Sequence, residues 1–253
     1  MSVDPGTLIT ARGLVLKAFP EATPFDFAIA PGEHRLIVSE PEAGKTSLTK
    51  TLLGIISPRA GTVWLAGDEL DSLAPARLLE ARRQFGVVYA ADGLIPAWTG
   101  FDNLALPLRL AGMADGHEIG ARLDAWVERY RIPARWLGLS CGQLQRDARL
   151  TLALSRALIG KPALLLLDGV PIDLAVGYSP RHGLSMLRDF IDDGGALLVL
   201  VRDAFADRVP EQAIGASFRH ARLVAGRLQS DDIDEPRRRP ANANPTQPTN
   251  PGN

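Results

Sequence analysis

Residues 36–54, LIVSEPEAGKTSLTKTLLG, run from an apolar strand candidate through a short polar loop into an amphipathic helix that opens at Gly44-Lys45-Thr46-Ser47. A phosphate-binding loop requires this order. Backbone N–H groups and the positive end of a helix converge on phosphate oxygens, while Lys45 reaches the terminal phosphates and Thr46 holds Mg²⁺. The pattern G-x-x-x-x-G-K-[ST] is met at Gly44, Lys45 and Thr46 but not at its first position, where Ser39 stands, and Glu42 sits where many such loops carry another glycine. A left-handed Ser39 would cost about 1–2 kcal/mol, and a Glu42 carboxylate beside phosphate would repel it unless it points to solvent. Ser39, Glu40, Glu42, Ala43, Gly44, Lys45, Thr46 and Ser47 form the candidate nucleotide-binding set; a coincidental strand-loop-helix is the alternative for this stretch alone.

Outward from the loop, short apolar segments alternate with longer amphipathic ones. His34 to Ser39, Phe85 to Tyr89, Ala163 to Leu167 and Ala196 to Val201 have the pattern of buried strands. Such alternation predicts an α/β fold around a largely parallel sheet. Leu8 to Leu16, Phe25 to Ile29 and Thr62 to Leu65, bounded by Pro31-Gly32 and Gly67, predict a smaller antiparallel layer beside it. The stretch from Phe101 to Leu137 has helix-like spacing in its second half and is expected to form a helical insert.

The 253 residues, 46% hydrophobic and 23% charged, suffice for a substantial core. Lys plus Arg number 28 against 29 Asp plus Glu, a net charge of -1 that argues against a dedicated nucleic-acid binder. The single cysteine, Cys141, excludes an intrachain disulfide and a multi-Cys zinc site and suits a reducing compartment. No apolar run approaches the ~20 residues that span a bilayer, and MSVDPG lacks the order of a secretion signal. Residues 233–253, IDEPRRRPANANPTQPTNPGN, carry no periodic apolar face, so this Pro/Asn-rich tail is expected to be disordered, with Arg237 to Arg239 solvated rather than bound to anionic lipid or a partner.

Residues 137–171, LGLSCGQLQRDARLTLALSRALIGKPALLLLDGVP, supply a second motif: Leu139-Ser140-Cys141-Gly142-Gln143, a helix, and an apolar strand ending in Asp168. Taken separately, Ser140-Cys141-Gly142 also fits a plain helix N-terminal turn, and Asp168 the cap of a buried strand. With Lys45, Ser140 and Asp168 standing 95 and 28 residues apart, the whole resembles the ATP-binding subunit of ABC transporters, whose signature is LSGGQ. The resemblance extends from about Leu8 to Leu228. It implies a P-loop NTPase core with a parallel sheet, a small antiparallel β layer and a helical subdomain. It also implies one ABC-type nucleotide-binding domain over residues 1–232, its helical insert at about 101–137. ATP and Mg²⁺ are the implied cofactors, with Ser140, Gly142 and Gln143 as further nucleotide contacts and Thr46 and Asp168 on the metal.

The same resemblance exposes losses. Where the family has its catalytic Glu this chain has Gly169, and the Gln linking the nucleotide to the helical insert falls at Ala90. The switch His falls at Arg202, and the Asp of the following loop at Ala175. A positioned base is commonly worth ~10²–10⁴ in rate, so the motifs are degenerate and motor-grade hydrolysis is not expected. Arg202 either holds a terminal phosphate or, the favoured reading, pairs structurally with a carboxylate. Because the family's subunits pair head to tail, a competent ABC ATPase partner could still use this chain's signature. The resemblance therefore implies a heterodimer (or else a homodimer) with a membrane permease subunit, cytoplasmic and peripheral at the inner face of the cell membrane. Cys141 is expected to cost some phosphate contact and to be a buried inert thiol rather than a redox handle. A non-transport nucleotide-sensing or scaffolding module, and an active ABC ATPase using replacement residues, are the rival readings.

Overall fold

The computed structural model describes residues 6–170, 180–209 and 211–230. Among the described residues ten strands form two sheets. The smaller is antiparallel, in the order β2-β1-β4-β5, from β1 (Ile9–Val15), β2 (Phe25–Ile29), β4 (Ala60–Leu65) and β5 (Asp68–Glu69). The larger has the order β10-β9-β3-β8-β7-β6, from β3 (His34–Ser39), β6 (Phe85–Tyr89), β7 (Leu164–Asp168), β8 (Ala196–Arg202), β9 (Arg219–Val224) and β10 (Arg227–Ser230). It is parallel except at the β9–β10 hairpin. The expected α/β class holds, and the seven strands expected from sequence lie within two residues of their observed bounds.

The period of two within each central strand explains its unbroken apolar run. Leu36, Val38, Leu165, Leu167, Leu197, Val199 and Val201 pack on one face with the helices α3 (Gly100–Leu110), α4 (Gly116–Tyr130), α6 (Arg146–Ile159) and α7 (Pro180–Asp192). Ile37, Leu164, Leu166, Leu198 and Leu200 pack on the other, with α1 (Lys45–Leu52), α2 (Pro75–Arg82) and the antiparallel sheet. Both faces are thus covered, as a parallel sheet requires. Truncating Leu166 or Leu198 to Ala would cost about 2–5 kcal/mol.

The helical insert is α3, α4 and the short α5 (Arg135–Gly138), so it is helical from its first residue and not only in its second half. Leu104, Leu106, Leu108 and Leu110 alternate like a strand, yet the pair spaced i, i+4 is the buried one: Leu104 and Leu108 are buried, while Leu110 is 45% exposed. Thr99 starts α3 by accepting a hydrogen bond from the Asp102 N–H at 3.1 Å. The expected tail over 233–253 and the departure at Ala175 lie outside the described residues, as does everything from 171 to 179.

Candidate nucleotide-binding site

Strand register assembles the site. Ser39 of β3 lies opposite Arg202 of β8, Asp168 of β7 opposite Leu200, and Tyr89 of β6 opposite Asp168, so four parallel strands end together. Ligands of open α/β sheets bind beyond such carboxyl ends. From Ser39 the chain turns through Glu40–Gly44 into α1, whose N-terminus has no capping side chain and no acidic residue in its first turn. The orphan N–H groups of that turn are therefore left for an anion. Gly44 caps the helix at φ 99°. A Cβ there would also come within 2.6 Å of the Phe19 ring, which packs beneath the loop from the β1–β2 connection. Phe19 carried no sequence signal, being a lone aromatic in a loop.

The strain expected at Ser39 sits elsewhere. Ser39 ends β3 fully buried, and its hydroxyl donates to the Val201 carbonyl at 3.1 Å, fastening the loop to the neighbouring strand. Glu42 is the left-handed residue, at φ 60°. Its side chain is exposed, as are Glu40 and Thr46, whereas Ala43 is buried and Lys45 and Ser47 half-buried. The Ala43 carbonyl accepts the Gly226 N–H at 3.0 Å, so the β9–β10 turn supports the loop from below.

Lys45, Ala90, Gly169 and Arg202 line one cleft of about 220 Å³, together with Arg146, Val170, Val201 and Phe205. Sequence reasoning placed the first four at one site and missed Arg146, which begins α6 just after the signature. Burial lowers the pKa of Lys45, the nearby charge of Arg202 lowers it further, and Asp168 opposes both. Asp168 is 5% exposed; burial raises its pKa and Lys45 opposes the rise. For both groups burial acts against the charged form, while the opposite charge favours it; Thr49 and Lys50 also favour the Asp168 carboxylate. Among the described residues Arg202 makes no ion pair, and the adjacent Asp203 turns instead to Arg222, at 3.1 Å.

The residues expected at Mg²⁺ are the exposed Thr46 on the first turn of α1 and the buried Asp168 at the end of β7. This donor set fits a hard cation that takes one or two protein ligands and completes its shell with phosphate oxygens and water. No group of three His, Cys, Asp or Glu among the described residues competes as a metal cluster.

The signature residues make their contacts with the segment 96–103. Ser140 bridges Thr99, and Gly142 and Gln143 are exposed beside Leu139, itself 41% exposed. Residues 139–143 are not among the residues that line the cleft. Cys141 does not face a phosphate: its N–H donates to the Trp98 carbonyl at 2.9 Å and its fully buried thiol accepts from Asn103 Nδ2 at 3.3 Å. Burial raises its pKa, in keeping with an inert thiol. The Gly142 N–H is likewise taken, by the Pro96 carbonyl at 2.9 Å. Asn103, unflagged by sequence, is the hub. Its amide joins the Ile95 N–H and carbonyl, the Thr99 carbonyl and Cys141, so hydrogen bonds tie the segment after Ala90 to the signature.

Comparison with known proteins agrees with this architecture. A family model described as ABC transporter matches residues 22–170. The chain is 38% identical over 204 residues to the lipoprotein-releasing system ATP-binding protein LolD of Pseudomonas syringae pv. tomato, covering 78% of this chain and 84% of that protein. It is 33% identical over 146 residues to the cell division ATP-binding protein FtsE of Escherichia coli, covering 56% of this chain and 63% of FtsE. The dimeric ATP-binding cassette MJ0796 bound to ADP and Pi shares the fold, with a TM-score of 0.72 at 20% identity over 88% of this chain and 98% of that one. With the family model spanning more than half of its length, and a relative of this identity matched over most of both chains, the chain belongs to the ABC transporter family as an ATP-binding domain.

Proposed function

We propose that this chain is a degenerate ATP-binding subunit of an ABC transporter, one that binds Mg-ATP, hydrolyses it poorly, and completes a partner's catalytic site through Leu139–Gln143. One observation carries the reading: Lys45 is retained in a cleft that it shares with Gly169, Ala90 and Arg202, none of which supplies a carboxylate base or an amide. The N-terminus of α1 and Lys45 hold phosphate oxygens, while Thr46 and Asp168 hold the metal. When bound, Mg²⁺ neutralises phosphate charge. Among the described lining residues no side chain takes a proton from water, because they are cations, glycine, alanine, valines and a phenylalanine.

The exposed signature supports pairing with a second cassette, either a competent ATPase in a heterodimer or another copy. A groove of about 310 Å³ between α2, β6, α3 and α6 supports docking of a membrane permease. Leu79 and Leu110, 46% and 45% exposed, give it an apolar floor, and Arg82, Arg83 and Arg156 rim it. No helix among the described residues is long and apolar enough to cross a membrane, which agrees with a peripheral place at the inner membrane face. Calorimetric titration of the chain with Mg-ATP tests the nucleotide half. Saturable binding that Lys45→Ala abolishes is expected; no binding at millimolar ATP would leave only a scaffold.

A further inference from the structure

The helix that follows the phosphate loop carries a polar residue where packing alone favours an apolar one. α1 buries Leu48, Thr49, Thr51 and Leu52, and threonine is a poorer helix former than leucine. The two leucines pack with Leu164 and Leu166 of β7 in one apolar cluster. By the period of two along β7, Asp168 shares the face of Leu164 and Leu166, so it ends the strand on the side that α1 covers. Thr49 stands three residues beyond Thr46 on that helix, the spacing that puts two side chains on one face. It is fully buried, and its Oγ1 is sealed from solvent and not bonded back to its own helix. The group on which its hydroxyl acts is the Asp168 carboxylate. Thr51 is buried too, but it lies about 200° further round the helix.

We propose that Thr49 is a positioning residue for the divalent cation: its buried hydroxyl holds the Asp168 carboxylate in place for Mg²⁺ beside Thr46. The inference rests on the proposed nucleotide reading of the site. Asp168 is 5% exposed, and a carboxylate so far from water stays ionised and fixed only with donors or opposite charges around it. Lys45 and Lys50 supply charge. Lys45 is committed to phosphate once nucleotide is bound, and Lys50 is exposed. Thr49 is the neutral donor that remains, inside the core and unaffected by the ligand. Groups that orient a metal ligand in this way are commonly worth about 10–100-fold in metal affinity. One helix thereby serves the whole site, with free N–H groups for phosphate, Thr46 for the cation and Thr49 for the carboxylate opposite.

The test is a set of dissociation constants for the full chain, Thr49→Val, Thr49→Ser and Thr51→Val, measured for ATP with Mg²⁺ and for ATP in EDTA, with melting temperatures alongside. Thr49→Val keeps the shape of the side chain and removes the hydroxyl; it should weaken Mg-ATP binding by about tenfold or more while metal-free ATP binding changes by less than about threefold. Thr49→Ala repeats the deletion in a smaller side chain and serves if the valine variant does not fold. Thr49→Ser keeps the hydroxyl and should bind Mg-ATP within about threefold of the wild-type chain, and Thr51→Val should alter neither constant. Equal weakening of both constants by Thr49→Val, weakening of neither, or a serine variant as defective as the valine one would overturn the inference and spare the nucleotide reading. So would a Thr51→Val chain that loses Mg-ATP affinity as Thr49→Val does. Wild-type binding equally tight with and without Mg²⁺ would overturn the inference as well. Failure of the wild-type chain to bind ATP under either condition would overturn both.

Discussion

Restoring the family's acid with Gly169→Glu looks like the direct repair of this site, and the backbone argues that it fails. Gly169 stands at φ 66°, a left-handed conformation that costs a side-chain-bearing residue about 1–2 kcal/mol. A Cβ there would lie 3.1 Å from Lys45 Nζ and 3.4 Å from the Ala90 Cβ. The new carboxylate would therefore start beside the lysine that must hold phosphate, and would compete with phosphate for it. For a domain of this size, 1–2 kcal/mol lowers the melting temperature by about 2–8 °C. The expected outcome in thermal melts and phosphate-release assays is a lower melting temperature, weaker Mg-ATP binding and less than a tenfold change in turnover. A positioned base is worth ~10²–10⁴, so a hundredfold rise in turnover from this one substitution would refute the reasoning.

Other consequences can be checked on the same protein. Glu42→Gly relieves a left-handed residue at φ 60°, and after the extra chain entropy of glycine should stabilise the fold by at most about 1 kcal/mol in urea titrations; with its carboxylate exposed, Mg-ATP affinity should change by less than about threefold. Cys141 should resist iodoacetamide in the native chain and react quickly once unfolded, because its thiol is fully buried and its pKa raised. Asn103→Leu strands the Ile95 N–H and carbonyl and frees Cys141; urea unfolding should show a loss of at least about 2 kcal/mol. Burial first, then the 2.9 Å hydrogen bond to Asp189, push the Tyr130 pKa up to about 12. The folded state holds that proton more tightly than an unfolded tyrosine with its ordinary pKa of about 10. This contribution to stability is therefore full below pH ~10 and is lost as pH rises through about 12. Melts over this range should fall less steeply for Tyr130→Phe.

How much was legible in the sequence follows from how each segment is buried. Leu164–Asp168 and Ala196–Arg202 are covered on both faces, so they read as plain apolar runs. The β9 strand reads as RHARLV because only Ala221 and Leu223 are buried, and with β10 it passed unread. In α3 the alternating leucines and Pro107 imitate a strand and its break; the i, i+4 burial of Leu104 and Leu108 is visible only once α6 is packed against it. At the site, the motif residues and the lost groups were legible because their spacing is diagnostic. The conformations were not. Which loop residue is left-handed, where the Cys141 thiol points, and that Arg146 reaches the cleft from a separate helix all depend on tertiary packing, which no local pattern encodes.

The central claim, a phosphate-holding cleft without a working base, is tested most directly by steady-state phosphate release from the purified chain at saturating Mg-ATP, with binding confirmed on the same sample. The account predicts saturable binding with turnover well below ~1 s⁻¹, the lower end of ordinary enzyme rates. Turnover at or above that rate, lost in Lys45→Ala, would contradict it and show that another residue does the work missing at Gly169.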